Sequence, residues 1–256
     1  MPVLALVGAD EGWRAALRRG LPTSIRIRSC RGADAVVALL YRELVDAVVL
    51  RVRGSDWTAP VPALRDRFPR IPIFGYGPLR ADDARLLADG MVAGVEGFLV
   101  EGVDEPVAGE LVAARAASRQ RERELADAPR LLRLVEPVQR RAWSVALAGA
   151  GQRLTTSDVA RAVGTSREHL SREFAAGGAP NLKRVIDLAR IACAADLLRN
   201  PGYDVGTCAG VLRFASPGHL SGTARRIAGA RPGVLGRLGP RGVLLRFLRG
   251  RTRSRI

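Results

Sequence analysis

Lysine is nearly missing from this chain: of 41 basic residues, Lys183 alone is not an arginine. Histidine occurs only at His169 and His219, and cysteine only at Cys30, Cys193 and Cys208. An odd, scattered set of cysteines gives no disulfide framework and fits reduced thiols in a cytoplasm. The two histidines lie far apart and share no ligand spacing with the cysteines, so no zinc site, and no cofactor, is expected. No apolar run reaches the roughly eighteen residues that a membrane span needs. The start, Met1-Pro2-Val3-Leu4, lacks a basic segment followed by a long apolar core, so no secretory leader is expected. Hydrophobic residues nevertheless make up 47% of 256 positions, which excludes a disordered chain and is enough for two cores.

Charge is plentiful but unevenly placed. Residues 1–105 hold 14 basic and 14 acidic side chains, whereas residues 106–256 hold 27 and 11, so the whole net charge of +16 lies there. From Gly151 onward the count is 19 against 6. A neutral half joined to a strongly basic half is the footprint of a nucleic-acid-binding module. A genome rich in arginine codons explains arginine in place of lysine. It does not explain an excess confined to one half.

Both histidines belong to a repeat. Ser166-Arg167-Glu168-His169-Leu170-Ser171 returns fifty residues later as Ser216-Pro217-Gly218-His219-Leu220-Ser221. In the first copy Thr155 is placed to cap a helix, and Asp158 three residues on is placed to return the bond. Val159, Ala160 and Val163 share one face at helical spacing. Gly164 and Thr165 make a break, and Ser166 caps a second helix running to about Phe174 with Leu170 and Phe174 inward. Arg167, Glu168, Ser171 and Arg172 are left outward near its start. That is the shape of a helix-turn-helix, whose second helix presents its N-terminal residues to base edges in the major groove.

The stretch from Leu154 to about Gly236 resembles the DNA-binding domain of the AraC/XylS family. The resemblance is carried by the first motif and by a central helix with Arg190-Ile191, Ala194 and Leu197-Leu198. The second motif, with its closing Gly229 and Pro232, completes it. It implies two recognition helices entering successive major-groove segments on one face of double-stranded DNA. By match, Glu168, Ser171 and Arg172 are the first base readers, with Arg167 and Arg172 as donors to guanine. The second copy departs from the pattern: Arg213 stands where the family has glycine, Gly222 where it has arginine, and Ala224 where it has a core phenylalanine. Ser216, Ser221, Arg225 and Arg226 are therefore expected to hold phosphate more than to read bases. His169 and His219 occupy equivalent positions, with a phosphate contact or packing as the open alternatives.

Before this lies an alternation of short apolar runs and helical patterns. Strands are expected at Val3–Val7, Ser24–Arg28, Asp46–Leu50, Ile71–Gly75 and Gly97–Val100, with helices between, and this order implies a parallel sheet. Over roughly residues 2–118 the order resembles a response-regulator receiver domain. The receiver's chemistry does not match: its acidic pair aligns with Gly8 and Ala9, its phospho-acceptor with Arg51, its hydroxyl with Gly77 and its lysine with Glu101. Magnesium needs hard oxygen ligands, and an arginine cannot accept a phosphoryl group. Asp10 reads as a helix N-terminal carboxylate, and Arg51 is expected to pair with Asp10 or Glu11. Gly75-Tyr76-Gly77-Pro78 is expected as a loop at the carboxyl end of a strand, where open α/β sheets bind ligands, but without dinucleotide glycine spacing.

Residues 106–126 read as an extension of the last receiver helix, with a solvated polar run at 119–124. Residues 237–256 carry seven arginines and read as a basic arm or a frayed terminus. The expected fold class is thus α/β plus all-α. It comprises a flavodoxin-like, receiver-like domain over 1–118 and a helical linker with the next domain's first helix over 119–150. A tandem helix-turn-helix follows over 151–236, then a basic tail over 237–256. The expected function is a cytoplasmic, phosphorylation-independent transcription regulator with no catalytic activity or membrane partner. Its N-terminal domain would serve homodimerisation or contact RNA polymerase or another protein. Two other readings stay open: a scaffold with a decayed second motif, and an architectural DNA binder with a steep salt dependence and no preferred site.

Overall fold

A computed structural model describes residues 3–21, 25–176 and 178–253. The chain divides into two compact units, Met1–Gln120 and Arg121–Ile256.

The first unit alternates strand and helix: β1 (Val3–Val7), α1 (Glu11–Gly20), β2 (Arg26–Cys30), α2 (Ala33–Leu40), β3 (Ala47–Arg51), α3 (Pro60–Arg67), β4 (Ile73–Gly77), α4 (Ala84–Ala93), β5 (Gly97–Val100) and α5 (Ala108–Arg115). The strands form one parallel sheet in the order β2-β1-β3-β4-β5. That order defines the flavodoxin-like doubly wound fold, in which ligand chemistry gathers at the carboxyl ends of the strands. Every residue of β1 and β4 is buried, because helices cover both faces of the sheet. Leu4, Leu6, Trp13, Leu17, Val49, Phe74, Tyr76 and Leu99 make one core cluster. Each such side chain stabilises the fold by about 1.5–3 kcal/mol relative to exposure. The buried carboxylate of Asp46 accepts from the Val3 and Ser118 N–H groups, both at 3.1 Å, and so fixes the entry to β1.

Several elements lie differently from their sequence expectation. The second strand begins at Arg26, while Ser24 lies outside the described residues. The fourth runs through Gly77, so Gly75-Tyr76-Gly77 is strand rather than loop. Tyr76 is completely buried there, and a Cβ on Gly75 would sit 2.7 Å from the Phe98 ring. These glycines admit close packing rather than a ligand.

The expected single helix over 106–126 is two. Ala116 turns to ψ 148° after α5, and α6 (Ala117–Glu124) starts afresh.

In the second unit, α7 (Ala128–Leu131) and α8 (Pro137–Ala148) precede two helix pairs. The first pair is α9 (Thr156–Ala162) and α10 (Arg167–Ala176), and the second is α12 (Val205–Val211) and α13 (Pro217–Ala228). Between them runs α11 (Leu182–Leu197), which is buried along nearly its whole length and packs against all four. The last helix, α14 (Pro232–Arg253), bends at Gly239-Pro240 and lies along α11 with Val243, Leu244 and Phe247 buried. This corrects the expected arm: residues 237–253 are helical, and their apolar face supplies core to the unit. The polar run at 119–124 is solvated only at Arg119 and Arg123. Arg121, 3% exposed, meets Asp196 of α11 at 3.1 Å, and Arg199 grips both carboxylate oxygens of Glu124.

Candidate nucleic-acid interface and the carboxyl end of the sheet

The start of α10 is fixed by local chemistry. Thr155 accepts from the Asp158 N–H at 3.2 Å, and the Asp158 carboxylate accepts from the Thr155 N–H at 3.0 Å, closing a capping box on α9. Gly164 then takes φ +75°, and the Ser166 hydroxyl oxygen accepts from the His169 N–H at 3.1 Å. Leu170 and Phe174 are buried, and Gln139 of α8 donates to the Glu173 carbonyl at 2.8 Å, pinning the far end of the helix. Arg167, Glu168, His169, Ser171 and Arg172 are all exposed. Arg172 and Ser171 carry no ion pair or side-chain hydrogen bond among the described residues. Arg167 leans toward Glu168 at 3.8 Å, and His169 lies 3.9 Å from Glu173. The helix is thus capped at its start and tied at its far end, with Ser171 and Arg172 unpartnered among the described residues.

The second pair follows the same plan with one inserted residue. Asp204 caps α12 from the Thr207 N–H, as Thr155 caps α9, and the Phe214 N–H bonds the Ala209 carbonyl as Thr165 bonds that of Ala160. These equivalences are 49 residues apart, whereas Ser166 and Ser216 are fifty apart. Ala215 is the extra residue, between the turn and the helix. The fifty-residue repeat in the sequence matched the second helices. Ser216 caps α13 from the His219 N–H at 3.1 Å. Beyond that the two faces diverge. Ser221 donates its hydroxyl to the Pro217 carbonyl at 2.9 Å, and Gly222 leaves the exposed face bare. His219 packs edge-on against Phe214, so the two histidines have equivalent positions but different surroundings. Arg226 is held by Asp187 of α11 at 3.1 Å, while Arg225 is exposed and forms no ion pair among the described residues.

The turn of this pair is strained where the family pattern calls for glycine. Arg213 takes φ +57°, a left-handed conformation that costs an L-residue roughly 1–2 kcal/mol. Its side chain is exposed, so Arg213→Gly gives up no packing. That substitution is expected to stabilise the unit by about 0.5–1 kcal/mol, after allowing for the larger entropy of glycine in the unfolded chain. A higher urea midpoint at unchanged slope would show this; a lower midpoint would mean that the turn is relaxed.

The carboxyl end of the sheet holds an inverted charge pair. Arg51, ending β3, meets Glu101, just after β5, with nitrogen-to-oxygen distances of 3.0–3.1 Å. The partner is thus neither Asp10 nor Glu11. Asp10 is spent on capping α1, accepting from the Trp13 N–H at 2.7 Å. The Arg51 guanidinium also lies 5.5 Å from the ring centres of Trp13 and Tyr76, which stack on each other at 5.1 Å. The Tyr76 hydroxyl donates to Glu105 at 2.6 Å, and burial together with that bond raises its pKa. Where a receiver places an acidic acceptor and a lysine, this chain places a cation and a carboxylate, bonded to each other. Among the described residues no group of acidic, histidine or cysteine side chains is arranged to hold a metal ion. Sequence spacing had aligned both positions but did not pair them.

The family comparison agrees with the helices just described: a helix-turn-helix domain model matches residues 159–237. Residues 159–237 form an AraC-type helix-turn-helix domain. This domain supports a role as a DNA-binding regulator. No curated protein matches the chain.

Solved structures similar to it include the signal receiver domain of an HD domain-containing protein from Pseudomonas fluorescens Pf-5. That likeness is 19% identical, covers 48% of this chain and 92% of that one, and has a TM-score of 0.41. Full-length FixJ from B. japonicum is 18% identical over 73% and 95% of the two chains, at a TM-score of 0.39. RcsB from Salmonella enterica serovar Typhimurium, bound to promoter rprA, is 13% identical over 73% and 98%, at 0.35. The receiver-like fold of the first unit rests on its strand order rather than on these likenesses. Among the described residues no helix is long and apolar enough to cross a membrane.

Proposed function

We propose that this chain is a sequence-specific transcription regulator that reads double-stranded DNA mainly through α10. The observation that carries the reading is the exposed, unpartnered face of Arg172 and Ser171 beside Arg167 and Glu168, at the start of a capped helix. Arginine there donates to guanine O6 and N7 in the major groove, and Ser171 and Glu168 tune the neighbouring bases. α13 acts as the weaker of two tandem motifs, holding the backbone through Arg225 and the free face of Arg226. His169, Ser216, His219 and Ser221 would lie at this same surface. Selecting bound sequences from a random duplex pool at about 0.15 M salt tests the reading. A recovered motif supports it. Binding without a motif would mean an architectural role, and no retained DNA would favour a protein scaffold.

In this proposal the first unit is a receiver-like module that works without phosphorylation, in which the Arg51–Glu101 pair replaces the phosphorylation chemistry. Met91 and Val92 on α4 and Val103, Val107 and Leu111 around α5 are exposed apolar side chains, which suits docking to a second copy or to a protein such as RNA polymerase. Magnesium with beryllofluoride is expected to leave the tryptophan fluorescence unchanged, although Trp13 lies beside Arg51 and would report an occupied site. A saturable change that Arg51→Ala removes would contradict the phosphorylation-independent reading.

A further inference from the structure

We propose that the cleft between the end of α13 and the C-terminal half of α14 binds phosphate oxyanions, apart from the base-reading face. It encloses about 500 Å³ and is lined by five arginines, Arg184, Arg225, Arg226, Arg246 and Arg249, around Phe247. Among the described residues no carboxylate lines it. Among the described residues only Arg226 is neutralised, by an Asp187 that is already shared with Lys183 at 2.9 Å. Arg225, Arg246 and Arg249 are exposed and form no ion pair among the described residues. Arg184 is held 5.1 Å from the centre of the buried Phe247 ring, and its Nε is buried without a hydrogen-bond partner. A fold that gathers five guanidinium groups around one shared carboxylate raises its own electrostatic energy, and a bound anion relieves it. Guanidinium forks match phosphate oxygens in pairs, which makes phosphate the anion of choice.

Two points set this cleft apart from the helix-turn-helix surface. Arg246, Phe247 and Arg249 lie beyond residues 159–237, in the part of α14 past the end of the matched domain. Arg225 and Arg226 sit in the last turn of the 12-residue α13. At 1.5 Å per residue these two arginines are about 12–14 Å from the N-terminal end that would face bases, more than the roughly 8.5 Å depth of a major groove. An anion here is therefore not on the groove floor. Its phosphate comes either from the DNA backbone flanking the site or from a free polyphosphate-bearing molecule, and the site itself does not depend on the regulator reading.

The test uses the full chain with inorganic tripolyphosphate as probe, and Arg246→Gln/Arg249→Gln beside the charge-preserving Arg246→Lys/Arg249→Lys. These side chains are exposed, and the Lys pair controls for helix packing. Tripolyphosphate is expected to raise the melting temperature of the wild type in a saturable way. The Gln pair should lose at least about tenfold in probe affinity, with the Lys pair intermediate. If the Gln pair also lowers the salt slope of DNA binding by about one to two, and the probe competes with duplex, the phosphate is the DNA's. If DNA binding is unchanged while the probe response is lost, the ligand is a free polyphosphate. A probe response in a protein that retains no DNA would keep the cleft and sink the regulator reading. No saturable response in the wild type, or equal responses in wild type and the Gln pair, would overturn the proposal.

Discussion

Replacing Arg190 by alanine is expected to destabilise the second unit by about 2–4 kcal/mol. Arg190 sits on α11 at 7% exposure, with its guanidinium 4.0 Å from the centre of the Phe214 ring and Nη2 donating to the Leu212 carbonyl at 2.7 Å. Burial lowers its pKa, yet an arginine stays charged. One side chain thus joins the central helix to the strained turn of the second pair. Alanine leaves a cavity, uncovers one face of Phe214 and strands a buried carbonyl. Each of these losses is worth about 1 kcal/mol or more. Lysine keeps the charge but not the planar fork, so Arg190→Lys is expected to recover only part of the loss. Urea unfolding of the full chain checks this. An alanine variant within about 0.5 kcal/mol of wild type would show that the stacked guanidinium contributes little.

The second large effect concerns recognition. Arg172→Ala is expected to weaken binding to the preferred duplex by about 1–3 kcal/mol, or roughly 5- to 150-fold, and to relax preference at one base pair. Binding to unrelated duplex should change far less, because the remaining arginines still meet phosphate. Arg172 is exposed and forms no ion pair or side-chain hydrogen bond among the described residues, so the variant should retain wild-type stability. Competition titrations with matched and mismatched duplexes separate the outcomes. Equal loss on every sequence would make Arg172 a phosphate contact and shift base reading to Arg167 or to α13.

What the sequence disclosed was chiefly local chemistry. The Thr155–Asp158 capping box, the Ser166 cap, the inward Leu170 and Phe174 and the outward Arg167, Glu168, Ser171 and Arg172 follow from spacings of three and four. The parallel sheet followed from strand and helix order, since right-handed crossovers leave few alternatives. Long-range pairing was not legible. Arg51 and Glu101 are fifty residues apart and meet only because β3 and β5 flank β4 in one sheet. Residues 119–124 looked solvated because their partners, Asp196 and Arg199, lie some 75 residues on. The C-terminal arginines hid an apolar stripe of Val243, Leu244 and Phe247 that needs α11 beneath it to be recognised as core. The arginine cleft was invisible for the same reason.

The central claim is that two helix pairs of the same plan are unequal readers of DNA. A base-pair substitution scan of the selected duplex, measured as affinity at each position at about 0.15 M salt, tests it most directly. The account predicts one segment where single changes cost about 1–3 kcal/mol each. About one helical turn away it predicts a second segment that tolerates every base. Two segments of equal sensitivity, or a flat profile along the whole duplex, would contradict it.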